Sequence, residues 1–116
     1  MKILLVDDST INNIMLENLR SSEGYETLAI LESDYVMKNI EDFNPDLILL
    51  DLMMPGMSGF DILRMMKKKS IRIPTVIITA YNDAGYAKTS RELGAFAYLT
   101  KPLNHEKLLH TLKNAA

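Results

Sequence analysis

The sequence predicts a doubly wound α/β domain, a three-layer sandwich of five βα units around one parallel sheet. Three observations predict it. Short apolar runs without polar alternation recur along the chain (KILLV at 2–6, DLILL at 46–50, PTVIIT at 74–79), as strands buried on both faces require. Segments with helical apolar spacing alternate with the strands, five of each. The crossovers between such strands are right-handed, which places helices on both faces of the sheet.

Each element has its own reason. Lys2–Val6 reads as the first buried strand. Thr10–Ser22 carries Ile11, Ile14, Met15, Leu16 and Leu19 at helical spacing, with Ser9 as N-cap and Gly24 in the C-cap region. Tyr25–Leu31 is β-favouring and more mixed, as an outer strand would be. Ser33 can cap a helix over Asp34–Phe43, which Pro45 ends. Asp46–Leu50 is the next buried strand. The stretch from Asp51 to Gly59 is a loop, marked by Pro55, Gly56, Ser58 and Gly59. Phe60–Lys69 reads as a helix with a cationic last turn. Pro74–Thr79 is a strand, Asn82 or Asp83 opens a helix to Leu93, and Gly94 ends it. Ala95–Leu99 is a short last strand, and Asn104 caps a helix through Asn114.

Composition narrows the function. The 116 residues, 47% hydrophobic, suit a single domain spanning 1–116, without internal repeat or linker. A chain of this size buries roughly 60–70% of its unfolded surface, so it folds without disulfide or structural metal. Thirteen basic against fifteen acidic residues leave a net charge of −2, which predicts neither nucleic-acid nor membrane binding by bulk electrostatics. Zero cysteines exclude thiolate chemistry, and His105 and His110 are too few for a histidine metal cage. No signal peptide or membrane-length apolar run is present, so the expected location is cytoplasmic.

The residues of chemical interest cluster at strand ends. Asp7 and Asp8 follow the first strand, Asp51 the third, Thr79 ends the fourth and Lys101 follows the fifth. All five fall at carboxyl ends of parallel strands, the edge where open α/β sheets bind ligands. Three converging carboxylates repel one another unless a cation joins them. Magnesium suits such an oxygen site, because it takes a few carboxylates and keeps its own waters. Lys101 and Thr79 add a point charge and a hydroxyl for one phosphoryl group. A carboxylate within that cage can be a nucleophile, forming an aspartyl-phosphate.

The ordered set ILLVDD at 3–8, DLILLDLMMPGMSG at 46–59, VIITA at 76–80 and AYLTKP at 97–102 resembles the receiver domains of two-component response regulators, end to end. Single acids mean little. The DD pair, the D-x-x-x-P-G-x-x-G loop, the T-A pair and the K-P pair on one βα frame are specific together. The resemblance implies a flavodoxin-like sheet in the order 2-1-3-4-5. It implies a signalling switch rather than an enzyme, one that catalyses only its own phosphotransfer and slow aspartyl-phosphate hydrolysis. Asp51 is similar to the phosphoacceptor. Asp8, Asp51 and the backbone carbonyl of Met53 resemble the Mg2+ ligands, with Asp7 acting through water; Mn2+ is a possible substitute. Lys101 resembles the phosphate-contacting lysine, joined to Pro102 by a cis peptide. Thr79 resembles the switch hydroxyl and Tyr98 the aromatic that changes rotamer. Met53 and Tyr81 occupy the two positions that tune phosphoryl lifetime; Met53 offers no polar group to orient water and Tyr81 is expected to shield the site, which predicts slow self-dephosphorylation. The implied partners are a histidine kinase or histidine phosphotransfer protein, then a target or second copy bound through helix 4, strand 5 and helix 5. Tyr86, Lys88 and Arg91 are candidates for that surface by position.

Plainer readings stand beside these. Tyr98 on a short strand could simply cover core. Ile11 and Met15, one helical turn apart near the acidic edge, could dock a phosphodonor or pack inward. Arg64, Lys67, Lys68, Lys69 and Arg72 read as a solvated helix end, the histidines as surface, and the eight methionines chiefly as core filler. Rival classes lack their motifs. A haloacid-dehalogenase-type phosphatase needs Asp-x-Asp after the first strand, where this chain has Asp7, Asp8, Ser9. A flavodoxin needs a hydroxyl-rich phosphate loop there. A receiver belonging to a larger regulator, whose output domain would then be C-terminal, fits the chain as well as a single-domain one; a phosphorylation-independent docking module is the remaining alternative, opposed by the intact set of five residues.

Overall fold

A computed structural model of the chain describes residues 1–7, 13–32, 35–54 and 56–115. Five strands, β1 (Lys2–Val6), β2 (Glu26–Ile30), β3 (Leu47–Asp51), β4 (Thr75–Thr79) and β5 (Ala97–Thr100), alternate with five helices. These are α1 (Asn13–Glu23), α2 (Val36–Phe43), α3 (Gly59–Lys68), α4 (Ala84–Glu92) and α5 (His105–Ala115). All strand pairs are parallel, in the order β2-β1-β3-β4-β5.

The apolar strands divide their side chains between two cores. Leu4, Val6, Ile48, Leu50 and Ile77 pack with Val36 and Ile40 of α2 and Ile62, Leu63 and Met66 of α3. Ile3, Leu5, Leu47, Leu49, Val76 and Ile78 pack with Leu16 and Leu19 of α1 and Leu108 and Leu112 of α5. Every residue of β3 and β4 is buried. Burial on both faces is why these strands carry no polar alternation.

Several boundaries differ from the sequence expectation. Tyr25 and Leu31 lie outside β2. Asp46 lies outside β3; its carboxylate accepts the Lys2 amide at 2.7 Å instead. The strand runs on through Asp51, whose ladder partner is Ile78. Asp51 is therefore held by the sheet rather than by the loop after it. Ala95 and Phe96 lie outside β5, and the Ala95 amide bonds back to the Ser90 carbonyl of α4. Ile14, expected on the buried stripe of α1, is 72% exposed. Ser9, Thr10, Ser33 and Asp34, expected near helix starts, lie outside the described residues; Tyr35 stands at the N-cap of α2 without a side-chain bond.

Candidate functional site

The carboxyl edge of the sheet carries the site. Asp7 continues β1 and bonds through its amide to the Ile30 carbonyl at 3.1 Å. Asp51 ends β3, Thr79 ends β4 and Lys101 follows β5. The Lys101 amide donates to the Thr79 carbonyl. The Lys101–Pro102 peptide is cis. Asp8, Pro55 and Ile11 lie outside the described residues.

Asp7 and Asp51 are buried, 1% and 6% exposed, and share one ammonium group. Lys101 Nζ lies 2.8 Å from Asp7 Oδ2 and 3.7 Å from Asp51 Oδ2. The lysine thus favours Asp7. The Met53 amide donates to Asp51 Oδ1 at 3.3 Å. Burial first, then the nearby Asp7 charge, pushes the Asp51 carboxyl up to about 6, against the pull of Lys101. Among the described residues, the Lys101 ammonium stands beside both buried carboxylates.

The loop after Asp51 is set by contact and capping. Gly59 lies so close to the strand end that a Cβ there would sit 2.7 Å from the Asp51 carbonyl oxygen. The Gly59 amide donates to the Leu52 carbonyl at 2.8 Å. Ser58 and Asp61 then form a reciprocal capping box at the start of α3. The spacing S-x-x-D in the sequence was the available signal for that box, and it starts the helix one residue before Phe60.

Thr79 is fully buried, and its Oγ1 accepts the Tyr81 amide at 3.2 Å. Tyr98 donates its hydroxyl to the Tyr81 carbonyl at 2.5 Å. Burial, and then the Asp83 carboxylate, raise the Tyr98 phenol above its ordinary value. Met53 and Tyr81 are 43% and 51% exposed at the rim of the site. Met15 is partly buried and packs against the core beneath α1 and α5, so the inward reading describes it. Tyr86, expected on an outer contact surface, packs inward beside Phe60 and Tyr81, whereas Lys88 and Arg91 are exposed. The basic residues from Arg64 to Arg72 are exposed, as are both histidines.

Among the described residues, no three of Asp, Glu, His or Cys come together as a metal-binding group. Asp7 and Asp51 nevertheless supply buried carboxylate oxygens at this edge. That donor set fits Mg2+.

The fold and edge define a class: a 2-1-3-4-5 parallel α/β protein with a carboxylate–lysine site beside a strand-end threonine. Comparison with known proteins gives the family. Residues 3–113 match the response regulator receiver domain family, and the chain belongs to it. It is 35% identical over 112 residues to sporulation initiation phosphotransferase F of Bacillus subtilis, covering 97% of this chain and 90% of that protein. It is also 35% identical over 108 residues to the DNA-binding response regulator MtrA of Mycobacterium leprae, covering 93% of this chain but 48% of that protein. The chain thus spans about half the length of such DNA-binding relatives. Among solved structures, the signal receiver domain of a LuxO repressor protein from Vibrio parahaemolyticus superposes with a TM-score of 0.91. It is 31% identical over 98% of this chain and 88% of that one. Chemotaxis protein CheY4 of Vibrio cholerae superposes at 0.88, 27% identical over 99% and 98%. The chain is accordingly a receiver module, a phosphorylation switch of two-component signalling; receiver domains use Mg2+ for phosphorylation and work with histidine kinases or phosphotransfer proteins. No helix among the described residues is long and apolar enough to cross a membrane.

Proposed function

We propose that Asp51 accepts the phosphoryl group. A carboxylate oxygen of Asp51 attacks the phosphorus of a partner phosphohistidine. The P–N bond breaks and its electron pair leaves with the imidazole. The observation that carries this reading is the shared ammonium: Lys101 already sits between Asp7 and Asp51, placed to meet a phosphoryl oxygen once Asp51 carries one. Asp7, Asp8, Asp51 and the Met53 carbonyl would hold Mg2+, which offsets carboxylate and phosphoryl charge when bound.

The new charge then draws in Thr79, releasing its bond to the Tyr81 amide. Tyr98 leaves the Tyr81 carbonyl and turns inward. The face made by α4, β5 and α5 changes with it and binds a target or a second copy, with exposed Lys88 and Arg91 at hand. A second reading concerns the whole protein. The near full-length match to the Bacillus phosphotransferase favours a receiver acting alone. The half-length matches favour one coupled to an output domain.

The test is intact mass after incubation with acetyl phosphate and magnesium, beside Asp51→Asn and a metal-free control. One phosphoryl adduct that needs both Asp51 and magnesium is expected. An adduct that persists in Asp51→Asn places the chemistry elsewhere.

A further inference from the structure

Tyr81 is tied to the switch by its backbone and to α3 by its ring. Its amide bonds to Thr79 Oγ1 and its carbonyl accepts from the Tyr98 hydroxyl. Its ring meets Tyr86 edge-on, with centroids 6.3 Å apart and an interplanar angle of 82°. Tyr86 in turn meets Phe60 edge-on at 5.9 Å and 72°. Phe60 is the second residue of α3, directly after the glycine that packs on the Asp51 carbonyl. Three rings therefore connect the first turn of α3 with the loop that follows Thr79. Asp83 closes the turn between them, accepting the Tyr86 amide at 3.0 Å as the N-cap of α4.

We infer that Tyr86 is a positioning residue whose ring, held between Phe60 and Tyr81, keeps the Thr79–Tyr81 loop in its resting arrangement and so limits how readily Asp51 is phosphorylated. The inference rests on the reading of Asp51 as phosphoacceptor and Thr79 as the hydroxyl that moves. Tyr81 is half exposed, so its contact with Tyr86 is a principal hold on its ring. Thr79 cannot swing towards Asp51 without giving up the Tyr81 amide. The loop cannot follow it without sliding the Tyr81 ring across Tyr86. Edge-to-face pairs of this geometry bias a two-state equilibrium by about fivefold each. The hold comes from the ring face and edge, so the Tyr86 hydroxyl is dispensable.

The experiment compares Tyr86→Leu and Tyr86→Phe with wild type in the full chain. The first readout is NMR of the unphosphorylated protein, following the Thr79 amide and the Tyr98 ring. The second is the rate of labelling by acetyl phosphate and magnesium. Tyr86→Leu is expected to shift both sets of signals and to label about fivefold faster; Tyr86→Phe should match wild type in both. Phe60→Leu, which opens the other end of the bridge, should show the same direction with a smaller effect, and it replaces Tyr86→Leu if that variant does not fold. A folded leucine variant that labels at the wild-type rate or slower overturns the assignment. So does a phenylalanine variant that behaves like leucine. If wild type takes no label while the Thr79 and Tyr98 signals respond as expected, the phosphoacceptor reading fails and the loop-holding role of Tyr86 stands.

Discussion

Asp51→Asn should make the metal-free protein more stable, although it removes the group on which function depends. Asp51 is buried, and its carboxyl is pushed up to about 6 from an ordinary 3.8. A group whose folded pKa is raised holds its proton more tightly in the folded state, so stability is lost as pH rises through the window from 3.8 to 6. The difference of about 2 units, at 1.36 kcal/mol each, places the destabilisation above the window near 3 kcal/mol. Asparagine keeps the shape without the charge and leaves Lys101 to Asp7, already its nearer partner at 2.8 Å. We expect a gain of about 1–3 kcal/mol near neutral pH, or about 4–12 °C in Tm for a domain of this size. At about pH 4, near the ordinary value, little of that difference remains, so the two proteins should nearly coincide. The assay is thermal unfolding by circular dichroism in chelator at about pH 4 and about pH 7.5. Magnesium at about ten times its Kd should then add about 1.4 kcal/mol to wild type and clearly less to the variant. Equal Tm values at the higher pH, or a gain that is the same at both, would refute the account of a buried carboxyl pushed above its ordinary value.

Other expectations follow from the same geometry. Lys101→Met removes the cation that both carboxylates share and should cost about 2–4 kcal/mol in urea unfolding; the cost should shrink in the Asp51→Asn background, where one carboxylate is gone. Equal costs in the two backgrounds would break the link. Gly59→Ala forces a Cβ against the Asp51 carbonyl and should cost about 1–3 kcal/mol while shifting the Asp51 and Leu52 amide resonances; an unperturbed spectrum counts against that close approach. Met53→Asn places a polar group able to orient water at the exposed rim and should speed aspartyl-phosphate loss about tenfold, read by decay of the labelled mass. No acceleration would remove Met53 from the residues that set lifetime.

Much of the fold is legible because its causes are local or nearly so. A run such as LILL between Asp46 and Asp51 has no polar alternation to place one face in water. A strand buried on both sides is the reading that survives. The positions of Asp7, Asp51, Thr79 and Lys101 at strand ends follow from the same count, since parallel strands deliver all their carboxyl ends to one edge. The reason Gly59 must be glycine was not legible. Its φ is not the constraint; the approach of two backbone segments eight residues apart is. The exposure of Ile14 was hidden as well, because helical spacing marks a stripe but not its width.

Residue type at short spacing is enough to set the βα alternation, the parallel sheet and the edge on which charged residues meet. Tertiary structure alone decided which helices share a face, since strands apolar on both sides carry no mark of either face: α2 and α3 pack on one, α1 and α5 on the other. It also decided how one ammonium is divided between two carboxylates, and that the Phe60 ring of α3 stands edge-on to Tyr86, which stands edge-on to Tyr81. Those are matters of distances between elements, and they exist only once the elements are packed.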